Sequence, residues 1–157
     1  MMRVAAAIIT NEEGKILICR RSAGSCSGLW TLADRKKALE KAPKPGCLTC
    51  QYGQDGHGGL WEFPGGKQEV GESAADCVVR ECQEELGILI KPGSVFGVEF
   101  YQREGQVEEF TFLEARILAG TPELRVHSEL QWASVKDLKK QEYCPADAEI
   151  AELLCGQ

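Results

Sequence analysis

Residues 66–88 read GKQEVGESAADCVVRECQEELGI, and they decide the fold by writing a helix with two unlike faces. Ser73, with Asp76 three residues on, is a capping-box-like start, and Gly87 after Leu86 supplies a left-handed stop, which bounds a helix over about 74–86. Within it Ala75, Val78, Val79, Cys82 and Leu86 form one apolar stripe at about 100° per residue. Glu81, Glu84 and Glu85 gather on another arc, expected to face water more than about 90° away from that stripe. Three like charges side by side repel. They become favourable against a hard divalent cation, because Mg²⁺ or Mn²⁺ prefers carboxylate oxygens. The plain alternative is an amphipathic helix with a solvated acidic face.

The residues just before the helix favour the cation. Trp61-Glu62-Phe63-Pro64-Gly65-Gly66-Lys67 puts two glycines after a proline, a loop whose backbone approaches a ligand closely, with a lysine beside it. Loop, cation and carboxylate helix together suit a metal-bound polyphosphate. The stretch resembles the Nudix box, G-x5-E-x7-R-E-U-x-E-E-x-G-U with U apolar, met by Gly66, Glu72, Arg80, Glu81, Glu84, Glu85, Gly87 and Ile88, with Cys82 in the first apolar slot. The resemblance implies an α+β protein with the Nudix fold, an α/β/α sandwich around a mixed central sheet. It also implies a hydrolase of diphosphate bonds linked to another group.

The similarity is closest to the MutT-like branch, which converts nucleoside triphosphates to monophosphate and pyrophosphate. By that resemblance Gly66, Glu81, Glu84 and Glu85 form the metal set, Arg80 orients the carboxylates, and Glu72 is a supporting acid. Arg21, at the end of Ile18-Cys19-Arg20-Arg21, would meet phosphate, and Glu62, Phe63, Gly65 and Lys67 would line the substrate. Asp147, in Tyr143-Cys144-Pro145-Ala146-Asp147, resembles the residue that hydrogen-bonds the base, or else starts a helix. An ionised Asp only accepts, which favours a base presenting N–H groups. A further glutamate, as base or metal support, is expected before the last strand's tryptophan. Counting back from Trp132 reaches Val126, so Glu129 is the nearest candidate, His127 lies beside it, and the general base stays open.

At 157 residues the chain fits one domain, 1–157, interrupted by an inserted loop at about 22–59. Leu32 to Ala42 in that insert is basic and helix-prone, and reads either as a lid over anionic substrate or as a surface excursion. Cys47-x2-Cys50, with Cys26 and His57, is a candidate structural zinc set. A net charge of −6 argues against a nucleic-acid binder, and no long apolar run suggests a membrane span. Eight cysteines without an export signal suggest a cytoplasmic protein with reduced thiols. The expected partner is a small nucleotide, the protein being a monomer or a homodimer. Val4–Thr10 and Ile16–Arg20 read as a hairpin, Val95–Arg103 and Val107–Ile117 as a second, and 129–134 as a last strand. Helical signals follow around 135–140 and 146–154. Within the resemblance the substrate is an oxidised nucleotide such as 8-oxo-dGTP, a CTP-like pyrimidine, a nucleotide sugar or ADP-ribose. Outside catalysis, the alternatives are a Nudix-like sensor and a zinc-containing interaction module.

Overall fold

The computed structural model describes residues 1–22, 59–103 and 105–157. The basic 32–42 stretch and the candidate zinc ligands Cys26, Cys47, Cys50 and His57 lie outside the described residues. The insert departs and returns at one point, since Gly59 donates to the Arg21 carbonyl and Arg21 to that of Leu60, each at 3.0 Å.

Strands β1 (Met2–Ile9), β2 (Ile16–Arg21), β3 (Trp61–Glu62) and β4 (Gly65–Lys67) precede helix α1 (Ala74–Leu86). Strands β5 (Leu89–Arg103), β6 (Gln106–Ala119) and β7 (His127–Ala133) follow, then a 3₁₀ helix at Val135–Lys140 and helix α2 (Pro145–Cys155). A four-stranded mixed sheet has the order β4-β1-β6-β5, with β1 parallel to β6, and a three-stranded antiparallel sheet has the order β3-β2-β7. The hairpin expected from β5 and β6 is present. The one expected from β1 and β2 is not a regular hairpin: the turn after Asn11 leaves a single bridge, Thr10 to Ile16, and the strands part into different sheets.

That parting follows from burial. Ala5, Ala7, Ile9, Leu17 and Cys19 face α1, whereas Ala6, Ile8, Ile16 and Ile18 face α2. Both strands are covered on both sides, which is why they read as unbroken apolar runs rather than alternating ones. Each fully buried Ile or Leu contributes about 1.5–3 kcal/mol, so two helices flanking the sheets supply the core. The mixed sheet between helices is the α+β sandwich anticipated from the sequence.

Candidate active site

Helix α1 is placed by the caps its sequence predicts. The Ser73 side chain accepts from Asp76 N at 3.0 Å, and Gly87 sits at φ 68°, a left-handed position. Gly66, paired with Ala5, brings β4 against the helix. A Cβ there would stand 2.5 Å from Cδ of Glu81, so only glycine lets strand and carboxyl meet. The Gly66 carbonyl also accepts from the Cys77 thiol at 3.4 Å, and burial pushes that thiol up to about 12.

Arg80 is the hub. Its Nε donates to Glu72 Oε1 at 2.7 Å and its Nη2 to Glu72 Oε2 at 3.0 Å, a two-point fork, while Nη2 also reaches the Lys67 carbonyl at 3.0 Å. Nη1 donates to Glu81 at 2.9 Å and to Glu84 at 3.3 Å. The fork holds the Glu72 carboxyl down at about 2. Glu72 also accepts from Glu69 N at 2.9 Å, so it braces Arg80 and the loop ahead of α1.

The glutamates do not all face water. Glu84 is 59% exposed in its side chain, Glu81 only 16%, and Glu85 is buried. The cause is helical geometry: Glu85 follows Val78 by seven residues, within about 20° of it around the helix, and so points at the sheets. Burial, then a hydrogen bond to Glu81, then the charges of Glu62 and Glu81 raise its carboxyl well above the ordinary range. Its Oε2 lies 3.5 Å from Nε2 of buried His127.

Arg21 and Glu62 form a buried pair, Nε to Oε1 at 2.6 Å, and the outer Arg21 nitrogens Nη1 and Nη2 have no hydrogen-bond partner. The phosphate contact expected of Arg21 thus belongs to a fully enclosed guanidinium. Phe63 is also internal: its ring stacks on Tyr143 at 6.1 Å and meets Phe112 edge-on at 6.2 Å. What Phe63 offers the site is its backbone N, which donates to Asp147 Oδ1 at 2.8 Å. Asp147 therefore looks outward from α2 to the β3–β4 connection rather than capping its own helix. Burial raises its carboxyl from 3.8 to about 7. Gly65 lies on β4 beside Ala6, and half-buried Lys67 ends that strand.

Glu129 stands apart from this cluster. It pairs with Arg20 at 3.6 Å and is 54% exposed. The reason is a bulge: Arg20 faces Glu129 and Arg21 faces His127, leaving Ser128 as an extra residue whose hydroxyl donates to the Arg20 and Arg21 carbonyls. Leu130 packs towards α1, Glu129 points the other way, and the extra residue turns His127 back in. His127, which the sequence names only as lying beside Glu129, is thus brought to Glu85 by a bulge that strand alternation alone does not reveal.

Among the described residues no three acidic, histidine or cysteine side chains already form a closed coordination set. The donors nonetheless fit a hard divalent cation in kind. Two carboxyls in hydrogen-bond contact, one of them buried and without an Arg or Lys ion pair among the described residues, are relieved by a cation that binds carboxylate oxygen. Glu81, Glu84 and Glu85 would hold it. No helix among the described residues is long and apolar enough to cross a membrane.

The NUDIX domain family model matches residues 40–154. The chain is 31% identical to the CTP pyrophosphohydrolase of Escherichia coli K12 over 154 residues, covering 97% of this chain and 90% of that protein. It is 27% identical to the 8-oxo-dGTP diphosphatase of the same organism over 150 residues, 95% of this chain and 92% of that one. Among solved structures, the E. coli ORF135 protein superposes with a TM-score of 0.68 at 28% identity, over 97% of this chain and 86% of that one. The MutT protein of Methanosarcina mazei Go1 shares the fold, with a TM-score of 0.68 at 24% identity over 98% and 91%. The chain belongs to the Nudix hydrolase family.

Proposed function

We propose that the protein is a Mg²⁺-dependent nucleoside triphosphate pyrophosphohydrolase. It would act on an oxidised or otherwise non-standard nucleotide such as 8-oxo-dGTP, giving monophosphate and pyrophosphate by water attack on phosphorus and so cleansing the nucleotide pool. The observation that carries this reading is the gathering of Glu81 and Glu84 on one guanidinium nitrogen of Arg80, with Glu85 buried against Glu81 and glycine strand β4 alongside. When bound, Mg²⁺ neutralises phosphate charge and acidifies water. The chain's own residues supply position. Arg80, locked on Glu72, fixes the carboxylates; β4 lets backbone approach the phosphates; Lys67 brings a positive charge to its end. The Asp147 carboxyl, held at one oxygen by Phe63 N, would offer its other oxygen to the edge of a base.

A second substrate reading, a CTP-like pyrimidine, is favoured by the 31% identity to the E. coli CTP pyrophosphohydrolase across nearly the whole chain. A panel of CTP, 5-substituted cytidine triphosphates, dGTP and 8-oxo-dGTP with Mg²⁺, scored by pyrophosphate release, tests both. Preference for 8-oxo-dGTP supports the first, preference for a cytidine triphosphate the second. Release from none contradicts the activity.

A further inference from the structure

Every buried side-chain nitrogen or oxygen that lacks a hydrogen-bond partner among the described residues belongs to Arg21 or His127. The two residues face each other in register across β2 and β7. Leaving such atoms unpaired costs stability, and native proteins concentrate them where function requires them. For Arg21 the remaining nitrogen is engaged by Glu62. For His127 neither ring nitrogen is satisfied, yet Nε2 stands 3.5 Å from Glu85 Oε2, just beyond hydrogen-bond length. The side chain is 1% exposed, so water is not its ordinary partner. It reaches this place only because the extra residue Ser128, tied to the carbonyls of Arg20 and Arg21, reverses the alternation of β7. Among the described residues Glu85 forms no ion pair with Arg or Lys, and Arg80 is occupied by Glu72, Glu81 and Glu84.

We infer that His127 is a positioning residue for Glu85, its Nε2–H holding one carboxylate oxygen of Glu85 in place for a hard divalent cation. The inference rests on the metal-dependent reading above. Groups that orient a ligand from behind fix its geometry, and their loss weakens metal binding about 10- to 100-fold. A residue kept for packing would lose metal-free stability on replacement, whereas His127→Leu, replacing two unpaired buried nitrogens by hydrocarbon, leaves the fold as stable or more so if His127 is kept for Glu85.

Mn²⁺ binding without nucleotide, read by electron paramagnetic resonance, and the melting temperature of metal-free protein separate these roles in the wild type, His127→Leu and His127→Gln. The expected result is weaker Mn²⁺ binding by about 10- to 100-fold in His127→Leu with an unchanged or raised metal-free melting temperature. His127→Gln, whose amide N–H replaces Nε2–H, stays within a few-fold of the wild type. Wild-type affinity in His127→Leu overturns the positioning role alone, as does equal impairment of both variants with a lowered melting temperature. A wild type that takes up no Mn²⁺ overturns the metal reading and this inference with it.

Discussion

Arg80 grips Glu72 at two points, Nε on Oε1 at 2.7 Å and Nη2 on Oε2 at 3.0 Å, so the guanidinium cannot turn without breaking both. The remaining nitrogen Nη1 is thereby aimed at Glu81 and Glu84. An ammonium has the charge of Arg80 but not its planar fork. Arg80→Lys should therefore fold and lose about 10- to 100-fold in kcat/KM, measured with saturating Mg²⁺. Activity equal to the wild type would show that charge alone is enough.

The same fork sets a pH dependence. Glu72 falls from 4.5 to about 2 in the folded protein, so its contribution to stability is complete above 4.5 and is lost as pH falls from 4.5 towards 2. The gap in melting temperature between wild type and Glu72→Gln should be constant above pH 5 and shrink steadily below it.

Asp147 works in the opposite sense. The folded state keeps its proton up to about 7, whereas the unfolded chain releases it near 3.8. Stability is therefore present below 3.8 and is lost as pH rises from 3.8 to 7. Asp147→Asn keeps an oxygen for Phe63 N and carries no charge. Relative to that variant the wild type should lose melting temperature between pH 4 and 7, and the difference should level off above. A difference independent of pH would mean that Asp147 stays ionised.

Breaking the buried Arg21–Glu62 pair from one side should cost about 3–5 kcal/mol, since it strands a charge, while Arg21→Met with Glu62→Leu should cost far less. Urea unfolding of the two singles and the double tests this. Additive losses would mean that the two residues act separately.

Much of this site was legible where its chemistry is local. The caps at Ser73 and Gly87 bounded α1 correctly because both act within one turn. The burial of Glu85 was also implicit, since it lies close to Val78 around the helix; treating the three glutamates as one face hid it. Two features depend on distant partners and left no trace in the pattern. The division of β1 and β2 into separate sheets is set by pairing with β6 and β7, and the turning of His127 towards Glu85 by one extra residue opposite Arg20 and Arg21.

The most direct measurement is ³¹P NMR of the best nucleotide triphosphate with Mg²⁺, in the wild type and in Glu84→Gln. Glu84 is largely exposed, so the substitution should leave the fold intact. The account predicts monophosphate and pyrophosphate from the wild type and a fall of several orders of magnitude in rate for Glu84→Gln, with its melting temperature unchanged. Wild-type turnover in Glu84→Gln, or orthophosphate as the first product, would contradict it.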